Sequence, residues 1–317
     1  MAFLLADCTP HRHLPLKVFA LLILATALPI SANRIDKRIN RRGCGRSAPV
    51  GRVYNGKPIS RESIPWIVHV LATKPVGGSG NGCAGSIITS NVVLTAAHCV
   101  QDDNGVRAIS VNVFFNKTEF HSGYAVKAEI MKVYPKFGKT NYRFYDIALL
   151  KLAVDLEFNK IMGPVCIPER DFDVTKQPLM VAGWGATSTA RHSKIIRYAY
   201  VHAITNKACQ REIGGSATPI AKRLKRPYPM ICTKGTNATP CEGDSGGPMT
   251  LKDERGRSTI VGIVSYGVIC DPSFISKYTR VAYYTRWIKN MLNHPGKWSK
   301  LQFNRKLEGI RLKVKPV

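Results

Sequence analysis

From Val53 onward the chain alternates short apolar runs with turn residues. Trp66 to Leu71 reads Trp-Ile-Val-His-Val-Leu, Ile109 to Phe115 reads Ile-Ser-Val-Asn-Val-Phe-Phe, and Thr259 to Val264 reads Thr-Ile-Val-Gly-Ile-Val. Clusters of Gly, Asn, Asp and Pro lie between such runs. Short stretches rich in β-branched and aromatic residues with this punctuation predict an all-β sandwich or barrel. Helical spacing is clear once: Tyr284, Trp287, Ile288 and Met291 recur across Ala282 to Leu292, and Pro295-Gly296 stops the pattern.

The N-terminus has a different texture. Arg12 and Lys17 precede an apolar run from Val18 to Ile30, which is too short to span a bilayer. It ends in Pro29-Ile30-Ser31-Ala32, a small-residue cleavage pattern, so residues 1–32 are expected to be a signal peptide of a secreted, extracellular protein. Residues 33–52 are polar and basic, with Lys37-Arg38 and Arg41-Arg42, and read as a propeptide. The expected body is residues 53–292, followed by a basic extension over 293–317 in which Ile310, Leu312 and Val314 alternate with cations. No segment after the signal peptide is apolar enough to span a membrane.

The chain of 317 residues carries 47 Lys and Arg against 20 Asp and Glu, a net charge of +27. Residues 1–52 contribute +7 and residues 293–317 contribute +6, leaving +14 on the body. A field of this sign favours polyanions such as glycosaminoglycan, with the stretch Lys222 to Arg226 and the tail as the basic clusters. No nucleic-acid-binding motif accompanies it. Nine cysteines include Cys8 in the signal segment. The remaining eight, an even number in a secretory context, predict a disulfide framework, for which 105 connectivities are possible. No CxxC pair is present, and neither a metal nor a cofactor is expected.

Three motifs carry chemistry. Thr95-Ala96-Ala97-His98-Cys99 follows the apolar run Val92-Val93-Leu94, Asp146 directly precedes Ile147-Ala148-Leu149-Leu150, and Cys241-Glu242-Gly243-Asp244-Ser245-Gly246-Gly247-Pro248 sets a serine among glycines. A serine hydroxyl is a weak nucleophile that needs a base, and an imidazole titrating near neutrality can supply one. Taken singly, each motif also has a structural reading: a core histidine beside a disulfide, a turn aspartate, a glycine turn.

Together and in this order they resemble the chymotrypsin-like (trypsin-fold) serine peptidases across about residues 44–292. The resemblance implies two six-stranded antiparallel β-barrels with the active site between them and a C-terminal α-helix. It implies His98 as general base, Asp146 as its orienter and Ser245 as nucleophile, with the N–H groups of Gly243 and Ser245 as an oxyanion hole. Ser265-Tyr266-Gly267 resembles the strand that pairs with the substrate backbone, and Ala182-Gly183-Trp184-Gly185 another family marker. The implied disulfides are Cys83–Cys99, Cys209–Cys232, Cys241–Cys270 and Cys44–Cys166, the last tethering the propeptide.

Activation is implied after Arg52, freeing the ammonium of Val53 to pair with Asp244. Val53-Tyr54-Asn55-Gly56 departs here from the usual Ile-Val-Gly-Gly. The resemblance implies a specificity pocket formed by Thr239, Ser265, Gly267 and Ser276. Thr239 stands where a trypsin has Asp, so the pocket lacks a counter-charge for a substrate Lys or Arg. Ser276 stands where Gly is common and narrows the slot. An uncharged residue before the scissile bond is therefore expected, and with it a separate trypsin-like activating protease. Asn116 and Asn237 head glycosylation sequons. The competing reading is a catalytically weak homologue that acts by binding polyanions.

Overall fold

A computed structural model describes residues 35–49, 57–75, 82–115, 123–139, 144–187, 189–214, 228–234, 239–267, 270–271 and 273–300. The expected signal segment, Arg52, Val53, Asn116, Asn237, the Lys222 to Arg226 stretch and residues 301–317 lie outside them. Two antiparallel β-sheets make up the body. No helix among the described residues is long and apolar enough to cross a membrane.

The first sheet contains β2 (Ile67–Thr73), β3 (Cys83–Ile87), β4 (Val92–Thr95), β5 (Ser110–Phe115), β6 (Tyr124–Val133) and β7 (Ala148–Leu152). Its order is β6-β5-β2-β3-β4-β7, and the pairing of β6 with β7 closes six strands into a barrel. Strands β3, β4 and β7 are buried on both faces. In β5 burial alternates residue by residue, with Val111, Val113 and Phe115 turned inward.

The second sheet runs β1-β9-β8-β11-β12-β13-β10. Its strands are β1 (Lys57–Pro58), β8 (Leu179–Gly183), β9 (Arg197–Val201), β10 (Met230–Thr233), β11 (Pro248–Lys252), β12 (Ser258–Gly267) and β13 (Ser276–Arg280). It is joined edge to edge by one antiparallel bridge, Ala203 to Thr233, and by the Ile204 N–H donating to the Cys232 carbonyl at 2.9 Å. Each sheet therefore holds six strands and one addition.

The addition to the first barrel comes from the far end of the chain. Helix α2 (Val281–Asn293) buries Tyr284, Ile288, Met291 and Leu292. Beyond it the chain folds back, the Trp298 indole N–H donates to the Met291 carbonyl at 2.9 Å, and β14 (Ser299–Lys300) pairs with Ile130 and Met131 of β6. Residues 293–300 thus belong to the folded body, where the charge of the segment alone suggests an extension. The periodicity also predicts a single helix, whereas α1 (Asn206–Gly214) is a second. It is largely polar and buries Cys209, so it shows no apolar stripe. Its start is fixed by the Thr205 hydroxyl, which accepts from the Ala208 N–H at 3.2 Å.

Four disulfides join Cys44 to Cys166, Cys83 to Cys99, Cys209 to Cys232 and Cys241 to Cys270. The segment 35–49 is held by more than its cystine. Ile35 is buried. Asn40 exchanges two hydrogen bonds with the Ile167 backbone, at 2.8 and 2.9 Å. The Gly45 N–H donates to Pro164, and its carbonyl accepts from the Ser258 N–H.

Candidate active site

His98 sits in a single 3-10 turn, Ala97–Cys99, at the end of β4, and the Cys83–Cys99 bridge ties that turn back to β3. Asp146 lies just before β7, opposite it in the same barrel. The imidazole Nδ1 is 2.7 Å from Asp146 Oδ2, and the His98 backbone N–H donates to Oδ1 at 2.9 Å. With Nδ1–H donating to the carboxylate, Nε2 is left as the acceptor.

Asp146 is fully buried. Burial pushes its pKa up, but the charge and hydrogen bonds of His98 and a bond from Ser265 outweigh this, and the net shift is downward. Two of its partners come from the second sheet. The Ser265 hydroxyl donates to Oδ2 at 2.6 Å, and the Thr279 hydroxyl donates to the Asp146 carbonyl at 2.7 Å. The residue before it, Tyr145, holds a left-handed φ of 69°. A bulky side chain rarely adopts that conformation. Here its ring is stacked on Tyr134, 5.6 Å between centroids.

Ser245 belongs to the second sheet, in the loop before β11, and that loop is seated on the first barrel. The Ala84 N–H donates to the Ser245 carbonyl at 2.7 Å. Gly246 has φ 78°, and a Cβ there would overlap the Ala84 carbonyl and the Thr95 hydroxyl. Gly243 has φ 95°, and a Cβ would press on His192 Nδ1 and the Gly185 Cα. No hydrogen bond joins the Ser245 hydroxyl to His98 among the described residues. In free enzymes this contact is often long and closes when substrate binds.

Asp244 accepts from the backbone N–H groups of Gly185 at 2.7 Å and Cys241 at 2.9 Å. Burial pushes its pKa up to about 6, against the lowering by those two bonds. At the predicted pocket, the Thr239 and Ser276 hydroxyls lie 2.6 Å apart, and Gly267 faces Ser276 across β12 and β13. Ser276 is buried. Of the four predicted pocket residues, Ser265 instead turns its hydroxyl to Asp146.

The trypsin family model matches residues 53–288. The chain belongs to the trypsin family. It is a serine endopeptidase. It is 31% identical over 274 residues to the clotting factor G beta subunit of Tachypleus tridentatus, covering 82% of this chain and 85% of that protein. It is 33% identical over 258 residues to phenoloxidase-activating factor 3 of Holotrichia diomphalia, covering 75% of this chain and 72% of the relative. Among solved structures, HL collagenase superposes with a TM-score of 0.64 at 26% identity, covering 76% of this trypsin-family chain and 99% of the collagenase.

Within the trypsin-family fold, two contacts and one backbone conformation escaped sequence reasoning. Ser265, read from the sequence as a pocket residue, and Thr279, which carries no local signal, reach Asp146 from 119 and 133 residues away. The positive φ of Tyr145 contradicts the preference of an aromatic residue.

Proposed function

We propose that this peptidase acts through Ser245, His98 and Asp146 by way of an acyl-enzyme. Ser245 Oγ attacks the scissile carbonyl as His98 Nε2 takes its proton. His98 then returns the proton to the leaving amine, and water repeats the cycle to release the acid. Asp146 fixes the tautomer and stabilises the imidazolium. The N–H groups of Gly243 and Ser245 receive the oxyanion. The observation that carries this reading is the buried carboxylate of Asp146, 2.7 Å from His98 Nδ1, which leaves Nε2 to act as base. It also weighs against the catalytically weak alternative, since such a charge is costly to keep buried without a use.

In the same reading the chain is a secreted zymogen, glycosylated at Asn116 and Asn237, that is cut after Arg52. The ammonium of Val53 then pairs with Asp244. The hydroxyl pair of Thr239 and Ser276 offers a guanidinium no carboxylate, which supports an uncharged residue before the scissile bond and a separate trypsin-like activator. The names of the clotting subunit and the phenoloxidase-activating factor support a substrate that is itself a protein. The charge of +27 supports a polyanionic partner.

The test is to cleave the purified precursor after Arg52, treat it with a fluorophosphonate probe, and profile it on a peptide library. Labelling of wild type but not of Ser245→Ala is expected. An unlabelled wild-type enzyme, or a dominant Arg preference, would overturn the mechanism or the pocket reading respectively.

A further inference from the structure

A pocket of about 640 Å³ opens where the segment 35–49 crosses the body. Arg41, Arg42 and Arg46 line it from the segment, and Phe158 and Lys160 from the body, with Glu62 as the lining acid. None of these residues takes part in the candidate active site. Arg42, Arg46 and Lys160 are exposed, and none has an ion-pair partner among the described residues. Arg41 lies over the Phe158 ring, 5.6 Å from its centroid, and 3.6 Å from Asp36.

These cations are not free to spread apart. The Cys44 N–H donates to the Arg41 carbonyl at 2.9 Å, closing a turn in which Gly43 has φ 99°. A Cβ on Gly43 would lie 3.8 Å from the Arg46 side chain, so that side chain folds back over the turn. Cys44–Cys166 and the Gly45 to Pro164 bond fix the turn to the body. The opposite wall is anchored by buried Arg61, whose guanidinium donates to the carbonyls of Ile67 at 2.5 Å and Ile161 at 3.1 Å. Like charges held together in a preformed cavity repel one another until an anion enters.

We propose that this pocket binds a sulfated oligosaccharide, which bridges the pro-segment and the catalytic body. Arginine matches sulfate in paired hydrogen bonds, so Arg42 and Arg46 offer more than the general attraction of single charges, while Arg41 is already held by Asp36. Phe158, half-buried, with buried Pro65 and Pro164 forms the apolar part of the lining. The volume falls within the usual range of small-ligand sites, roughly 300–1,000 Å³. Because both walls are joined by Cys44–Cys166, the site persists after a cut at Arg52. The inference rests on the polyanion reading above but locates the ligand away from the stretch Lys222 to Arg226 and the tail.

The experiment is calorimetric titration of the full precursor with a heparin-derived hexasaccharide at physiological ionic strength. Three proteins are compared: wild type, Arg42→Ser/Arg46→Ser/Lys160→Ser, and a control of equal charge loss, Lys207→Ser/Lys252→Ser/Lys289→Ser. The pocket variant should bind at least about tenfold more weakly and the control less than about twofold, with equal melting temperatures. Equal weakening in both variants, no wild-type binding, or tighter binding of a polyphosphate of the same charge would overturn the proposal. Peptide cleavage after activation should match wild type in both variants. Its loss in all three proteins would count against the peptidase mechanism and leave the pocket result standing.

Discussion

Ser265 and His98 share one oxygen of Asp146: the hydroxyl reaches Oδ2 at 2.6 Å and the imidazole Nδ1 at 2.7 Å. The second sheet thereby holds the carboxylate that orients a histidine of the first. Ser265→Ala removes a hydrogen bond to a buried charge, an interaction worth about 1.5–3 kcal/mol. The expected outcome is a kcat about tenfold lower with KM little changed, in steady-state assays of the activated enzyme. An unchanged kcat would mean that Asp146 is positioned without it.

The hydroxyl pair at 2.6 Å between Thr239 and Ser276 would make the base of the proposed specificity pocket neutral. Thr239→Asp places a carboxylate beside the Ser276 hydroxyl, which can donate to it. Relative kcat/KM for Arg over Leu peptides should rise about tenfold or more, because a buried guanidinium gains a counter-charge. Competitive hydrolysis of paired peptides measures the ratio directly.

Asp244 has a pKa of about 6, above the ordinary value of 3.8. The fold therefore binds this proton more tightly than the unfolded chain does. Its contribution favours the fold at low pH and is lost as pH rises from about 4 to about 6. The uncut precursor should lose thermal stability across that window, and Asp244→Asn should lose less. After cleavage at Arg52 the order should invert at neutral pH, since the proposed Val53 ammonium requires the carboxylate. Melting curves of both forms, recorded on a Ser245→Ala background, separate the two states.

Asp36 behaves oppositely. Burial raises its pKa, but hydrogen bonds from Arg38 and Ser90 outweigh this and bring it to about 2, below 3.8. Its contribution is full above pH 4 and is lost as pH falls through about 2. Asn40→Ala, which deletes both bonds to Ile167, should cost about 1–3 kcal/mol. With Cys44 and Cys166 both replaced by Ser and the chain cut at Arg52, the segment should stay bound at neutral pH and dissociate near pH 2. Size-exclusion chromatography with mass detection reads this, and immediate loss at pH 7 would show that the cystine alone retains it.

The strands and α2 could be read from the sequence because their signals are local. β-Branched runs bounded by turn residues and one apolar stripe report burial within a few positions of themselves. The three candidate motifs were legible for the same reason: each places a side chain suited to the proposed chemistry beside a buried strand or in a glycine turn. What the sequence could not carry was the pairing between motifs. Ser265 reads as a pocket residue and Thr279 as an ordinary strand residue until the two sheets pack, when their hydroxyls reach a carboxylate and a carbonyl more than a hundred residues away. The same holds for Trp298, which reads as part of a charged tail until its indole finds the open carbonyl of Met291 at the end of α2. Arg42 reads as half of a basic doublet and Arg46 and Lys160 as single charges, and the fold gathers the three around one cavity. Buried polar groups must find partners wherever the chain brings them, and only the tertiary structure decides which partners those are.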